Sequence, residues 1–231
     1  PPYGAFISYL DLSILWNHWL GFPVTEEDRT NETIVGGDRN LTEQHYKSSL
    51  AESIRTCLRL LRPDRWFSIV FQHWDISYFA TILETATDCG AELKAAITQT
   101  GDVIWSMHKK KNSASVLAGE MILTFYKPAK ARKKRTGAPM NEKRDPGAVL
   151  SEILDACLGN GTRSFTSEAL FNRLVIEMWH RRALSCLSMD RRDFAAALRS
   201  RGWNYSTRVH LWSRGQDPAE ASGQAMLLDL R

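Results

Sequence analysis

The string Pro1-Pro2-Tyr3-Gly4 holds the residues whose types and spacing are best suited to chemistry. Two prolines fix the direction of the Pro1 carbonyl and carry no N–H group to compete with it. With a polar residue before it, that carbonyl would hold both N–H groups of an exocyclic amine while a methyl group arrives. Tyr3 would stack on a base flipped out of a duplex. As an isolated string, the same residues fit a rigid turn with a core aromatic at a strand end.

The elements that follow this string predict an α/β fold. A helix capped by Ser8 carries apolar residues at spacings of three and four as far as Trp19 and Leu20. The segment Trp66–Phe71 is nearly continuous in apolar character, which is typical of a strand buried on both faces of a parallel sheet. In chain order, we predict a mobile polar loop over residues 23–42, a helix over 46–61, this strand over 66–71, a helix over 75–90, and two strands over 92–98 and 121–126.

The second part of the chain predicts a small helical domain. Residues 128–147 are rich in Lys, Arg, Pro and Gly without apolar periodicity, as in an interdomain linker. Helical patterns over 149–158, 170–178 and 194–198 precede an alternating segment, Trp203–Trp212, that fits a hairpin or a single strand. This order of elements indicates a winged-helix-like module. We divide the chain into a first domain over 1–128, a basic linker over 129–147, a second domain over 148–213 and a tail over 214–231.

Composition places weak limits on partners. The formal net charge is +4, and the basic residues cluster at Lys109–Lys111 and between Lys127 and Arg135. Such runs are usually solvated, although the linker residues Lys133, Lys134 and Arg135 are suited to contacting phosphates. No apolar run is long enough to cross a bilayer and no leader pattern is present, so we expect a cytoplasmic protein without membrane contact.

Isolated cysteine and histidine residues are given structural interpretations. The four cysteines are scattered without a Cys-x-x-Cys pair, which favours buried reduced thiols over disulfides or a metal site. His73 follows the predicted strand 66–71 and could face the site, but we expect its ring to pack against Trp74.

Three stretches of the first domain resemble the adenine-specific DNA methylases that contain a zinc ribbon. They are Pro1-Pro2-Tyr3 with Ser8–Ser13 and Trp19-Leu20, then Leu58–Trp74, and then Ser106–Leu123. The second domain is similar to the tail of that family at Arg182–Leu184 and at Phe194–Trp203. Together these stretches follow the order expected of an amino-methyltransferase from its catalytic motif onward.

The resemblance implies a fold, a reaction and a set of site residues. The fold is a partial Rossmann-like methyltransferase sheet joined to the winged-helix-like domain. The reaction is methylation of adenine N6 in double-stranded DNA with S-adenosyl-L-methionine as cofactor, within restriction-modification or phage defence. Pro1, Pro2 and Tyr3 would form the catalytic motif. A loop on the target-base side would supply nucleic-acid contacts from Trp105, His108, Lys109, Lys111 and Asn112.

Three features of that family are missing from this sequence. The acidic residue before Pro1, a glycine-rich cofactor turn and the zinc ribbon are all absent. We expect the cofactor-binding half to lie upstream of Pro1, which would leave the strand at 66–71 with an open edge and the isolated fragment unstable and inactive. The missing half or an oligomer would cover that edge, and a well-folded monomer would contradict this topology.

Two alternatives stay open. A non-enzymatic nucleic-acid-binding protein would use the winged-helix-like domain and the basic linker, with Pro1-Pro2-Tyr3 as a structural turn. An amino-methyltransferase acting on cytosine N4 or on RNA would keep the same motif and differ only in its substrate.

Overall fold

The computed structural model describes residues 8–99, 120–130, 146–158, 164–184 and 189–214. Within these ranges the chain forms helices α1 to α7 and strands β1 to β5. The helices are α1 Tyr9–Trp19, α2 Glu26–Asn31, α3 Glu43–Leu60, α4 Ile76–Asp88, α5 Pro146–Leu158, α6 Ser167–His180 and α7 Arg191–Arg199. The strands are β1 Arg65–Phe71, β2 Glu92–Gln99, β3 Glu120–Lys127, β4 Trp203–Ser206 and β5 Leu211–Arg214.

The polar segment between α1 and α3 contains a helix that we did not predict. Thr25 caps α2, because its hydroxyl accepts from the Asp28 N–H at 3.1 Å while the Asp28 carboxylate accepts from the Thr25 N–H at 2.8 Å. This reciprocal capping box stabilises a six-residue helix that makes fewer than two turns. Apolar periodicity cannot detect so short an element. The prediction of an irregular loop is therefore wrong over Glu26–Asn31.

The first three strands form one sheet in the order β1-β3-β2. β3 runs antiparallel to both neighbours, so β1 and β2 run parallel to each other and are joined through α4. β1 lies at an edge of this sheet. The expectation that β1 sits inside a parallel sheet is not met within the described residues, where its strand neighbour is the antiparallel β3.

The sheet buries one of its faces more deeply than the other. The side chains of Ile69, Phe71, Met121, Leu123 and Phe125 are buried on the face against which α4 and α6 pack. On the opposite face the Ser68 and Thr124 hydroxyls hydrogen-bond at 2.9 Å, and Trp66 is 58% exposed. The prediction that this strand is buried on both faces is therefore wrong, because an apolar run does not reveal which of its faces a neighbour covers.

The C-terminal elements are three helices followed by a two-stranded hairpin. β4 and β5 pair antiparallel, which decides between the hairpin and the single strand left open by the sequence. Phe165, just before α6, adds a bridge to Trp212 with backbone hydrogen bonds of 3.0 and 2.8 Å. The described part of the chain is thus a mixed α/β structure with small sheets.

Aromatic contacts join the sheet to the C-terminal helices in one continuous core. The Trp74 ring contacts those of Phe171 and Phe194, with centroid distances of 5.0 and 5.9 Å. A polar contact lies nearby, where the Asn172 side chain on α6 donates to the Thr98 hydroxyl on β2 at 3.0 Å. The two regions therefore stabilise each other, and the domain boundaries at 128 and 147 stay predictions.

Cysteine placement departs from the expectation of buried thiols. Cys57 is exposed on α3 and Cys89 is partly exposed, and both are free thiols. Cys57 lies on the outward side of α3, whereas Leu50, Ile54 and Leu58 lie on its buried side. Residue type alone therefore does not predict the exposure of this cysteine. Among the helices of the described ranges, none has the length and apolar character needed to cross a bilayer.

Candidate functional site

Every residue predicted to form a site lies outside the described residues. These residues are Pro1, Pro2, Tyr3, Trp105, His108, Lys109, Lys111, Asn112, Lys133, Lys134 and Arg135. The structure does describe the points at which their segments join the fold. Those points determine which part of the molecule each segment is attached to.

The segment 100–119 connects the last residue of β2 to the first residue of β3 at one end of the three-stranded sheet. Phe71 ends β1 and is paired with Met121, while Gln99 ends β2 and is paired with Glu120, the first residue of β3. We name this end of the sheet, where β1 and β2 finish and β3 begins, the carboxyl edge. Ligands of open α/β sheets bind outside the carboxyl ends of the parallel strands. The segment that contains Trp105 through Asn112 begins after Gln99 and ends before Glu120, so both of its ends are at this edge.

The helix that follows the Pro1–Gly4 string, α1, is held to the fold by Glu32. Ser8 caps α1, and the Glu32 carboxylate accepts the Leu10 N–H at 2.9 Å and the Ser8 hydroxyl at 3.5 Å. The backbone carbonyl of Glu32 in turn lies 3.1 Å from His45 Nε2, in the first turn of α3. Glu32 therefore ties the start of α1 to the N-terminal end of α3.

The N-terminal end of α3 packs beside the carboxyl edge. The Tyr46 ring lies 5.3 Å from the ring of Tyr78, and the Lys47 ammonium lies 5.0 Å from the same ring. Tyr78 in turn stacks on Phe71, the last residue of β1, at 6.3 Å. A series of contacts through Glu32, α3 and Tyr78 thus connects the start of α1 with the carboxyl edge.

The basic linker leaves the fold from the opposite end of the sheet. Lys127, the last residue of β3, is paired with Arg65, the first residue of β1. Just beyond it, the Ala129 N–H donates to the Asp64 carboxylate at 3.0 Å. The segment that carries Lys133 to Arg135 is therefore attached far from the carboxyl edge, apart from the other predicted nucleic-acid contacts.

A histidine and a tyrosine form a contact at the carboxyl edge that sequence reasoning missed. The His73 ring lies 4.0 Å from that of Tyr78, and His73 Nδ1 accepts the Asp75 backbone N–H at 2.9 Å. The expected packing of His73 on Trp74 is replaced by this stacking. With Nδ1 accepting, a neutral His73 carries its proton on Nε2, which leaves that nitrogen as a donor.

Electrostatics keep both rings uncharged. Burial lowers the pKa of His73 below its ordinary value, and the nearby Asp75 carboxylate opposes this effect without overcoming it. Burial also raises the pKa of Tyr78 to about 12, with the carboxylates of Glu43 and Asp75 adding to the increase. At neutral pH neither ring therefore carries charge, and the partly exposed His73, rather than the buried Tyr78, is the member of the pair that can hold a polar group.

A cavity of about 350 Å³ lies next to this edge, between α6 and the covered face of the sheet. Thr98 and Met121, paired across β2 and β3 one residue from the edge, form its floor. Its polar lining on α6 consists of Asn172, Arg173, Glu177 and His180. The cavity falls within the usual size range of small-ligand sites and offers both donors and acceptors.

A second cavity, of about 490 Å³, lies beneath the start of α1. Its lining includes Ser8, Glu32 and the Gly36-Gly37 turn. Two ion pairs cross it, Arg29 with Asp11 at 2.8 Å and Arg39 with Glu26. Both guanidinium groups are paired with carboxylates, so the cavity is poorly suited to binding an anion. The pair of Arg29 with Asp11 stabilises the position of α1 instead.

Within the described ranges, no group of three His, Cys, Asp or Glu side chains is arranged to hold a metal ion. Comparison of the chain with protein-family models, curated proteins and solved structures finds no match. Two features therefore indicate a function: the geometry of the carboxyl edge and the resemblance of the motif.

The lowered pKa of His73 predicts a dependence of stability on pH. Because the folded state disfavours the charged ring, unfolding takes up a proton between the folded pKa and the ordinary value of 6.5. Stability should be complete above about pH 6.5 and fall as the pH drops towards the folded pKa. His73→Gln keeps an acceptor for the Asp75 N–H but cannot titrate. Urea unfolding at several pH values should give a shallower acid decline for this variant, and equal slopes would contradict the assignment.

Proposed function

We propose that this chain forms the target-base side of an S-adenosylmethionine-dependent DNA adenine-N6 methyltransferase. One observation supports the proposal: a series of contacts through Glu32, the start of α3 and Tyr78 links the beginning of α1, which follows the Pro1–Gly4 string, to the carboxyl edge from which the 100–119 segment leaves. In this proposal the motif residues and the residues of that segment, which are far apart in the sequence, act on one base.

The topology supports a Rossmann-like sheet. Two parallel strands need a crossover connection, and β1 and β2 obtain it from α4, in the βαβ arrangement that recurs in such sheets. β1 is left with one side of its backbone unpaired by any described strand. A strand ending in the residue before Pro1 would pair there, which would direct the string towards the carboxyl edge.

The chemistry of the site follows from neutral hydrogen-bonding groups. An exocyclic amine shares its lone pair with the ring, so acceptors such as the Pro1 carbonyl are needed to hold its N–H groups as methylation occurs. Tyr3 would stack on the flipped base. His73, neutral and with Nε2 as a donor, would hold an acceptor of the base or of its sugar-phosphate without adding a charge.

The described residues do not fit a site for S-adenosylmethionine. Cofactors of this size in open α/β sheets are held by a glycine-rich turn between a strand and a helix. The turn between β1 and α4, Gln72–Asp75, contains no glycine and is filled by the His73 and Trp74 side chains. In this proposal the cofactor is held by a further part of the enzyme that pairs with the free edge of β1.

The rival function, a DNA-binding winged helix, would use the arginines at both ends of α7, and those at its C-terminal end are not available to it. Two arginines at the end of α7 are already engaged within the fold. Arg201 bonds to the Asp155 carboxylate at 3.3 Å and to the Ala197 carbonyl at 3.0 Å, and Arg199 lies 5.9 Å from the Trp212 ring. A recognition helix needs such side chains free to reach base edges and phosphates.

Methyl transfer from labelled S-adenosylmethionine to duplex DNA tests the proposal, with the complete protein in which this chain occurs. Mass spectrometry of the digested product should detect N6-methyladenine. Tyr3→Ala should abolish transfer, whereas Tyr3→Phe should retain most of it, because stacking needs the ring and not the hydroxyl.

Other outcomes would change the assignment in defined ways. Duplex binding without methyl transfer or cofactor binding would overturn the enzyme and favour the rival function. Methylated cytosine or methylated RNA in place of methyladenine would keep the reaction and replace the substrate. Equal activity of Tyr3→Ala and wild type would remove Tyr3 from the site.

A further inference from the structure

We propose that the outward face of α1 binds the same face of a second copy of this chain. The residues of that face, together with the phenylalanine that follows the helix, are here named the apolar stripe. Their exposed fractions range from 42% for Tyr9 to 70% for Leu12. The apolar stripe consists of Tyr9, Leu12, Leu15, Trp16, Trp19, Leu20 and Phe22.

α1 directs polar side chains towards the fold and leaves its large apolar side chains exposed. Ser13 and Asn17 are half-buried on the side towards the fold, where Asn17 Nδ2 donates to the Ser13 hydroxyl at 3.1 Å. Asp11 is paired with Arg29, and the Leu10 N–H with Glu32. Surface helices normally turn apolar residues inward. Here polar contacts fix the helix with its apolar side facing solvent.

The area of the apolar stripe matches that of a protein interface. Large side chains of this kind cover about 150–250 Å² each, so at these exposures the stripe presents on the order of 800 Å². The largest apolar patch on a typical monomer covers about 300–600 Å². One side of a standard protein interface covers about 800 Å². The stripe is therefore large enough to support a stable dimer.

The spacing within the stripe favours a second copy of α1 as the occupant. Tyr9, Leu12, Trp16 and Trp19 follow one another at intervals of three, four and three residues, the spacing of a helix-pairing seam. A two-fold axis places the same surface on both sides, so a seam that packs on its own copy satisfies both chains at once.

The absence of charged residues along the stripe favours self-association. No charged residue occurs between Leu12 and Phe22, so two copies can approach without repulsion between like charges. The Trp16 and Trp19 rings already lie edge to face at 5.1 Å, so little side-chain freedom is lost on pairing.

The polar side of α1 argues against a lipid or nucleic-acid occupant. Its polar residues are Asp11, Ser13, Asn17 and His18, without a lysine or an arginine. Helices that lie on membranes carry basic residues beside their apolar face, and nucleic acid is held by cations that neutralise phosphates. A protein surface of the same apolar kind fits better, and the proposal is independent of the methyl-transfer assignment because it rests on α1 alone.

Sedimentation equilibrium of the complete protein in which this chain occurs, across a wide range of concentrations, tests the proposal. The wild type should be a dimer. Leu12→Glu, which would place an unpaired charge in the buried seam, should weaken dimerisation by about 100-fold or more. The matched control is Leu60→Glu, because Leu60 is 76% exposed at the end of α3, outside the stripe. That variant should remain as dimeric as the wild type.

Each alternative result overturns the proposal. A monomeric wild type would do so, as would a dimer that survives Leu12→Glu or one that dissociates equally in Leu60→Glu. Circular dichroism shows whether Leu12→Glu is folded. If it is not, Trp19→Ser, at a side chain 66% exposed, replaces it with the same expected dissociation. Binding of a monomeric wild type to anionic vesicles would assign the stripe to a membrane instead.

Discussion

Replacing Phe171 with alanine will lower the free energy of unfolding by about 3–5 kcal/mol, as large truncations in aromatic cores do. The side chain has no exposed surface. Its ring contacts those of Trp74, Phe79 and Phe194, at centroid distances of 5.0, 6.3 and 5.6 Å. The cavity would therefore open where rings from the sheet region and from the C-terminal helices meet, and neither side can close it alone. Urea unfolding followed by tryptophan fluorescence measures the loss.

Two controls separate this effect from a general sensitivity to substitution. Phe171→Leu keeps most of the volume and should cost under about 1.5 kcal/mol. Leu60→Ala removes an exposed side chain and should change stability by less than about 0.5 kcal/mol. Circular dichroism and fluorescence should report one common transition, because the two regions share a core. Two separate transitions, with Phe171→Ala shifting only the second, would show that the C-terminal region has its own core.

Local patterns determined the elements that were predicted well. Ser8 and Asp75 cap α1 and α4 as expected, because a capping side chain bonds to a backbone N–H only two or three residues away. The strands β2 and β3 were also placed within one or two residues of their bounds. Signals of this kind are contained in a few consecutive residues and do not depend on the rest of the fold.

Pairing and burial depend on distant residues and were not predictable. The run Trp66–Phe71 indicates a strand, but its antiparallel pairing with β3 joins residues about sixty positions apart. Which face of that strand is covered depends on where α4 and α6 pack. The same limit applies to α1, where periodicity identifies the apolar stripe but cannot show that Glu32 and Arg29 hold the polar side against the fold.

In the candidate site, too, local patterns were predictable and contacts between distant residues were not. Pro1-Pro2-Tyr3 was found from its sequence alone, whereas the contact of His73 with Tyr78 requires α4 to turn back over the end of β1. Adjacent residues on an extended segment point in opposite directions. His73 therefore turns to Tyr78 while Trp74 turns to Phe171, and their expected mutual packing does not form.

Replacing Lys127 with methionine will lower the free energy of unfolding by about 2–3 kcal/mol, because hydrogen bonds to charged groups contribute more than neutral ones. The Lys127 ammonium donates to the backbone carbonyls of Leu58 and Leu61, each at 2.7 Å. Both lie at the C-terminal end of α3, where carbonyls lack helical partners and a positive charge is favoured by the helix dipole. Methionine keeps the aliphatic stem and removes the donors. Urea unfolding gives the loss directly.

Lys94→Met is the matched control on the same sheet. The Lys94 ammonium pairs with Glu92 at 2.6 Å, but its side chain is 42% exposed, so its loss should cost less than about 1 kcal/mol. High salt should remove that small effect and leave most of the Lys127 effect, because screening acts mainly on exposed charges. Equal losses in the two variants would contradict the capping role. A larger loss for Lys127→Met would show that the end of α3 is fastened to β3 directly. Since Leu61–Asp64 leads from that helix into β1, this contact also fixes the register in which Arg65 pairs with Lys127.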